Sequence, residues 1–157
     1  MHTNDSHRRL ALFDDMFHRV MNKMKQIEQK PRRFGTEFLL YPSEIHTIEA
    51  IGRNAGINVT TLAALQGVTK GAVSQILRKL VEKGMVVRMK DEMSDREVLL
   101  KLSNTGTVAY QAHQEFHSRI YPDLVEIIEQ ADDGNIEFME TLFKAIDRFC
   151  DRVIGGS

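Results

Sequence analysis

The stretch that most restricts the fold is residues 67–84, which read GVTKGAVSQILRKLVEKG. Thr69 is a good helix N-cap, and glycines flank the run on both sides, as expected at helix boundaries. Inside the run, apolar side chains recur at the spacing of one helix face: Val73, Ile76, Leu77 and Leu80. The opposite face is polar. This pattern predicts a helix that buries one side and leaves the other side free.

The neighbouring segments restrict the fold further. A short helix is predicted over about 60–66, and it stops at Gly67. Two β-like runs follow the long helix, MVVRM at 85–89 and VLLKL at 98–102, with a polar loop between them. The order helix, turn, helix, hairpin predicts a winged helix-turn-helix, in which the second helix enters the DNA major groove.

The rest of the chain is predicted to be helical, so the fold class is mainly α with a small β-hairpin wing. The predicted helices are 5–29, 42–52 with Ser43 as its cap, 104–130 capped by Ser103 and kinked at Pro122, and a last one starting at Asp132 or Asp133. The stretch 56–58 is expected only to end the second helix. The whole chain, 1–157, is predicted to form a single domain.

Composition limits the cellular setting and the way in which nucleic acid could be bound. Cys150 is the only cysteine, which excludes an intramolecular disulfide framework and favours a reducing cytoplasm. No apolar run approaches the roughly 20 residues of a membrane helix. The net charge is -1, so a DNA-binding protein of this composition must concentrate positive charge locally. Residues 69–101 do so, with eight Lys and Arg against five Asp and Glu.

The polar face of the second helix suits contact with DNA. Short side chains at its start, including Ser74, allow close approach, while Lys70 and Arg78 can reach phosphates. Gln75 and Arg78 can reach base edges. The alternative is a solvated face of a generic helical protein, but the order of the neighbouring elements favours the DNA-binding interpretation.

Residues 67–88 and the stretch SDREVLLKLSNTG (94–106) resemble the MarR family of bacterial transcription regulators, and the likeness extends over nearly the whole chain. The resemblance implies a homodimer on a palindromic operator in double-stranded DNA. It implies a DNA-binding lobe at 42–103, with dimerisation helices at 5–41 and 104–155. The implied DNA contacts are Thr69, Lys70, Ser74, Gln75, Arg78 and the wing arginine Arg96.

The wing departs from the family pattern. The family commonly has an acidic residue two positions before the wing arginine, where this chain has Ser94. The tip of the wing also carries Asp91, Glu92 and Glu97, whose charges repel phosphate. We therefore expect this wing to add less to DNA affinity than is usual in the family.

Two histidines, His113 and His117, lie four positions apart in a predicted helix. Side chains at this spacing lie one above the other, so both imidazoles can bind one metal ion. The same spacing also fits two packing residues with ordinary hydrogen bonds, and the pair alone does not decide between these interpretations.

The resemblance extends this pair to a full ligand set. One branch of the family consists of zinc-responsive repressors of zinc-uptake genes. The ligands of its main site correspond here to Glu28, His46, His113 and His117, which implies one site per subunit for zinc or another divalent transition metal. At the positions of the second site in that branch, this chain has Phe34, Ile45 and Ala112, which implies that the second site is absent.

The sequence thus predicts a DNA-binding transcription regulator, acting as a repressor and controlled by a bound metal, and not an enzyme. Within the same family, the effector could instead be a phenolic or lipid-like ligand. A metal hydrolase is a remote alternative, because four protein ligands leave no coordination position for water. A winged helix that binds protein instead of DNA is a further alternative, suggested only by the acidic wing tip.

Overall fold

The computed structural model describes residues 2–27, 29–91 and 94–155 of the chain. It is mainly helical with a small antiparallel sheet, which confirms the predicted fold class. The elements are α1 His2–Ile27, α2 Pro42–Arg53, β1 Ile57–Asn58, α3 Val59–Gln66, α4 Lys70–Glu82, β2 Val86–Asp91, β3 Ser94–Leu102, α5 Asn104–Ile120, α6 Pro122–Glu129 and α7 Asp133–Gly155.

The chain forms two compact units, Met1–Glu115 and Phe116–Ser157. The boundary between them falls inside α5, which is one continuous helix. The assignment of 1–157 to a single domain with dimerisation helices at both ends stays a prediction.

Capping residues and a glycine determine where the two helices of the helix-turn-helix begin and end. The Asn58 side chain accepts a hydrogen bond from the Thr61 N–H at 2.8 Å and starts α3. Gly67 ends α3 in the left-handed conformation, with φ 63°. The Thr69 hydroxyl then accepts the Ala72 N–H at 3.2 Å and starts α4. The predicted cap at Thr69 and the predicted stop at Gly67 are both confirmed.

The core of the first unit lies between α2, α3, α4 and the sheet. Its fully buried side chains include Leu40, Ile48, Ile51, Leu62, Val73, Leu77, Leu80, Met85 and Leu100. On α4, the predicted inward face is buried except for Ile76, which is half-buried. Burying one side of α4 in this way fixes which of its side chains face outward.

The wing is a three-stranded sheet in the order β1-β3-β2. Val86 pairs with Leu102, and the register continues to Lys90 opposite Val98 before it becomes irregular at Asp91. The strands therefore run through most of the residues that were predicted as a loop. Within that predicted loop, residues 92–93 lie outside the described part of the structure. Strand β1 was not predicted: Ile57 pairs with Leu100 and forms the third strand.

The start of α2 differs from the prediction. Tyr41, and not Ser43, is the N-cap, and Pro42 occupies the first helical position, which tolerates proline. A carboxylate oxygen of Glu44 accepts the Tyr41 N–H at 2.9 Å, as the third residue of a capping box does.

Glu44 also forms a buried ion pair with the end of α4. The Lys83 ammonium lies 2.7 Å and 2.8 Å from the two Glu44 carboxylate oxygens and donates to the Leu39 carbonyl at 2.9 Å. The Glu44 side chain is 3% exposed, so the carboxylate depends on these donors for its solvation. The pair fixes the beginning of α2 to the end of α4.

Helix α5 begins very close to the start of β2. The Ser103 hydroxyl accepts the Gly106 N–H at 3.0 Å, which confirms the predicted cap, and it donates to the Gly84 carbonyl at 2.6 Å. The Ser103 N–H donates to the Met85 carbonyl at 3.0 Å. A Cβ at position 106 would lie 2.0 Å from that carbonyl oxygen, so only glycine fits there.

The second unit holds the end of α5 together with α6 and α7. Pro122 was predicted to kink one long helix, and this prediction is wrong. The helix instead ends before Tyr121, and Pro122 is the first residue of α6. The predicted start of the last helix is confirmed, since the Asp132 side chain accepts the Asn135 N–H at 2.7 Å. None of the helices within the described ranges is long and apolar enough to cross a membrane.

Candidate functional site

The outer face of α4 carries the predicted DNA contacts. Every side chain predicted from this helix and its cap is exposed: Thr69, Lys70, Ser74, Gln75 and Arg78. The Thr69 hydroxyl accepts the capping hydrogen bond, and its own O–H remains available to donate to DNA. The structure thus brings one polar and basic surface together on a helix whose other side is in the core.

Lysines near the end of α4 have different surroundings. Lys79 is exposed on the helix, whereas Lys83 is held by Glu44 and the Leu39 carbonyl. Because the Lys83 charge is already neutralised by a buried carboxylate, it adds little to attraction of DNA phosphates. The basic character of the α4 surface therefore comes from Lys70, Arg78 and Lys79.

The wing offers further cations that the sequence analysis did not single out. Arg88 and Lys90 are exposed on β2, where they alternate with Val87 and Met89. Arg96 lies in β3, but its side chain is outside the described part of the structure, so its predicted groove contact stays a prediction. The strand was predicted at 85–89, and the alternation of polar and apolar residues along it could have indicated that Arg88 and Lys90 lie on one face.

Three histidines form the second candidate site. One ring nitrogen from each of His46, His113 and His117 lies within 4.8 Å of the others. His46 is on α2 and is exposed, His113 on α5 is buried, and His117 is half-buried one turn later on the same helix. The ring centroids of His46 and His113 are 5.5 Å apart.

The separation of these nitrogens suits a metal ion. Ligand nitrogens about 2.0–2.1 Å from a tetrahedral zinc ion are about 3.4 Å apart. The three ring nitrogens lie within 4.8 Å of one another. Small rotations of the imidazoles would bring them to the separation that zinc requires. Among the described residues, the cluster contains these three histidines and no carboxylate. Glu28, the predicted fourth ligand, lies outside the described residues, so its role stays a prediction.

The buried member of the cluster, His113, is held on two sides. The Phe34 ring packs edge-on against the imidazole at a centroid distance of 5.2 Å. A Glu49 carboxylate oxygen lies 3.6 Å from Nδ1 of His113, and the other oxygen of Glu49 pairs with the Arg53 guanidinium at 2.6 Å. Glu49 was not among the residues predicted from the sequence. Its position three residues after His46 places it near that histidine on α2, but it does not indicate the contact with His113.

The positions implied for a second metal site hold apolar residues. Phe34 and Ile45 are both buried hydrophobic side chains, and Ala112 is half-buried. None of these three side chains carries a metal-binding atom, and the absence of that second site stays a prediction.

A shallow pocket of about 370 Å³ lies beside His46. It is lined by Ser43, His46, Gln66, Val68 and Ile76, so it borders α2 and the turn of the helix-turn-helix. Its volume is within the range of small-ligand pockets, roughly 300–1,000 Å³.

Comparisons with known proteins identify the winged-helix segment. Residues 40–97 match the model of the MarR family. The curated HTH-type transcriptional regulator YhjH of Bacillus subtilis is 29% identical over 110 residues, which cover 70% of this chain and 63% of that protein. The match thus spans less than two thirds of that relative. These matches are to transcription regulators and not to enzymes, in agreement with the prediction.

Solved structures share the fold at low sequence identity. FabT of Streptococcus pneumoniae in complex with DNA matches with TM-score 0.63 and 22% identity, covering 94% of this chain and 99% of that one. ZitR of Lactococcus lactis, a zinc-responsive MarR family member, matches with TM-score 0.62 and 13% identity over 88% and 96% of the two chains. Residues 40–97 of this chain are therefore similar to the MarR family, and the chain shares the winged-helix fold of these solved structures.

Proposed function

We propose that this chain is a DNA-binding transcription regulator whose affinity for its operator is controlled by a divalent transition metal, with zinc as the first candidate. The observation that carries the proposal is the cluster of His46, His113 and His117, drawn from two helices. Three imidazoles are a common donor set for zinc and also suit nickel, cobalt, manganese and iron(II). Glu28 is proposed as the fourth ligand.

Binding of an ion at this cluster would give regulation because the ligands lie on different helices. His46 belongs to α2, whose start is fixed to the end of α4 by the Glu44–Lys83 pair. His113 and His117 belong to α5. When bound, the metal supplies a bond between α2 and α5. It changes operator affinity only if it binds the DNA-competent arrangement more tightly than the alternatives, and we propose that it does, as a corepressor.

The proposed assembly is a homodimer, because a palindromic operator requires two recognition helices about one DNA turn apart, roughly 34 Å. Helix α7 supports it by exposing large apolar side chains: Phe138, Phe143, Phe149, Val153 and Ile154. Exposed apolar surface of this extent is unusual in a monomer. We expect light scattering to give twice the chain mass of 18.0 kDa. A monomeric mass at micromolar concentration would contradict the proposal.

The α4 surface gives a prediction for DNA affinity. Gln75→Ala and Arg78→Ala should each weaken operator binding by about 1–3 kcal/mol, because each removes a base contact. Lys70→Ala should weaken operator and random DNA about equally and reduce the salt slope by about one unit, because it removes a phosphate contact. Gel shifts at several salt concentrations measure both effects.

Lys144→Ala is the matched control for these variants, because Lys144 is an exposed lysine on α7 that pairs with Glu140. It should leave operator affinity unchanged. If Gln75→Ala, Arg78→Ala and Lys70→Ala all bind as the unaltered protein does, α4 is not the recognition helix.

The direct test of metal control is the operator gel shift with zinc and with a chelator. The proposal expects tighter binding with zinc and weaker binding after chelation. Insensitivity to both would overturn it. Release by a phenolic or lipid-like molecule would then favour an organic effector, for which the pocket beside His46 is a candidate position.

A further inference from the structure

The structure places the Glu49 carboxylate against a proposed ligand without making it part of the ligand cluster. Its Oε2 lies 3.6 Å from Nδ1 of His113. It is nevertheless absent from the group of atoms within 4.8 Å of one another at His46, His113 and His117. Glu49 therefore contacts the ligand and not the position where an ion would lie.

The surroundings of Glu49 fix its orientation. Its side chain is 13% exposed, and its Oε1 accepts from the Arg53 guanidinium at 2.6 Å. Arg53 follows Glu49 by four residues on α2, so the pair is internal to one helix. With Oε1 engaged by Arg53, Oε2 remains to face the His113 ring. A separation of 3.6 Å is slightly longer than a hydrogen bond, and a small side-chain rotation closes it.

An imidazole can bind a metal through only one nitrogen when the other carries the proton. Metal-ligating histidines usually donate that second N–H to a carboxylate or carbonyl, which fixes both tautomer and ring orientation. The His113 ring is 2% exposed, so bulk solvent does not reach it and a neighbouring protein group is the expected acceptor.

We infer that Glu49 is a positioning residue for the metal site: it accepts a hydrogen bond from Nδ1–H of His113 and so leaves Nε2 as the metal ligand. This inference rests on the proposed metal site, which it deepens. It also assigns Arg53 a function, because the guanidinium holds the carboxylate in the orientation that faces the ring.

Two variants separate the hydrogen bond from packing. Glu49→Met keeps the length of the side chain but removes the acceptor. In Glu49→Gln, Arg53 should retain the carbonyl oxygen, so the amide NH₂ faces Nδ1 and donates to it. The proton of His113 should then move to Nε2, the nitrogen that the metal needs. Glu82→Gln, at an exposed carboxylate on α4, is the matched control.

The first readout uses the metal-free protein. At a pH of about 8, where imidazole is neutral, nitrogen-15 NMR should show His113 protonated at Nδ1 in the unaltered protein and in Glu82→Gln. It should show Nε2 protonated in Glu49→Gln and a mixture in Glu49→Met. An unchanged tautomer in both Glu49 variants overturns the inference.

The second readout is zinc affinity, measured by competition with a chromophoric chelator. Both Glu49 variants should bind zinc about 10–100-fold more weakly, the usual effect of losing such a partner, and Glu82→Gln should match the unaltered protein. Glu49 variants that bind zinc within a factor of two of the unaltered protein overturn the inference. If the unaltered protein binds no zinc, the proposed metal site itself is wrong. This outcome differs from an unchanged His113 tautomer or an unchanged zinc affinity in the Glu49 variants, which would overturn only the role of Glu49.

Discussion

Replacing His113 or His117 by alanine should remove high-affinity zinc binding and, with it, the zinc-dependent part of operator affinity. Structural zinc sites with four ligands contribute about 10–16 kcal/mol, so one ligand accounts for about 3 kcal/mol, or roughly a 100-fold loss in affinity. His46→Ala should have a similar effect. Protons compete with metal for imidazole, so zinc uptake by the unaltered protein should fall as the solution is acidified.

The measurement is equilibrium dialysis with zinc, followed by gel shifts with and without the metal. His18→Ala is the matched control, since His18 is an exposed histidine on α1 that lies 3.4 Å from an Asp14 carboxylate oxygen. It should bind as much zinc as the unaltered protein. The metal-free operator affinity should be retained in all variants, because none of the altered residues lies on α4. Equal zinc uptake by His117→Ala and the unaltered protein would show that the pair only packs.

Replacing Gly106 by alanine should destabilise the first unit strongly. The added Cβ would lie 2.0 Å from the Met85 carbonyl oxygen. That oxygen cannot move freely, because it accepts the Ser103 N–H, and Met85 is completely buried. Overpacking against fixed atoms costs about 1–3 kcal/mol or more, and the better helix propensity of alanine returns only about 1 kcal/mol. Because the clash is with a fixed backbone atom, we expect the upper end of that cost and a net loss of about 2 kcal/mol.

Gly71→Ala separates this clash from the general effect of glycine in a helix. A Cβ at Gly71 would lie 3.8 Å from the nearest side-chain atom, the Thr69 hydroxyl, which is ordinary van der Waals contact. This variant should be neutral or slightly more stable. Urea unfolding of both variants gives the comparison, and a Gly106→Ala protein as stable as Gly71→Ala would contradict the close approach of α5 and β2.

Sequence patterns predicted best what short-range interactions determine. The caps at Thr69 and Ser103, the stop at Gly67 and the buried face of α4 each depend on residues within one or two helical turns. Strand β1 could not be predicted in this way, because two residues carry little pattern and its pairing with β3 joins Ile57 to Leu100. The end of α5 was misplaced because proline is compatible both with a kink and with the first position of a new helix.

The histidine site likewise combines one feature that was visible in the local sequence with contacts between distant residues that were not. The spacing of His113 and His117 on one helix was visible, but it was equally consistent with packing. Placing His46 beside them required the resemblance to a family, since periodicity within a helix does not report contacts between helices. Glu49 was missed for this reason: its contact with His113 joins residues 64 positions apart, and the sequence between them gives no local indication of the pairing.

The Glu44–Lys83 pair has a consequence for local unfolding. The Glu44 carboxylate caps α2 and neutralises the ammonium at the end of α4. Fraying of either helix end would therefore leave a buried charge without its partner. Opening one helix end alone is therefore expensive, and the two are expected to open together as one cooperative unit. Helices that share their opening equilibrium share any stabilisation applied to either of them. Whatever binds at α2 thus adds to the lifetime of the ordered α4 as well.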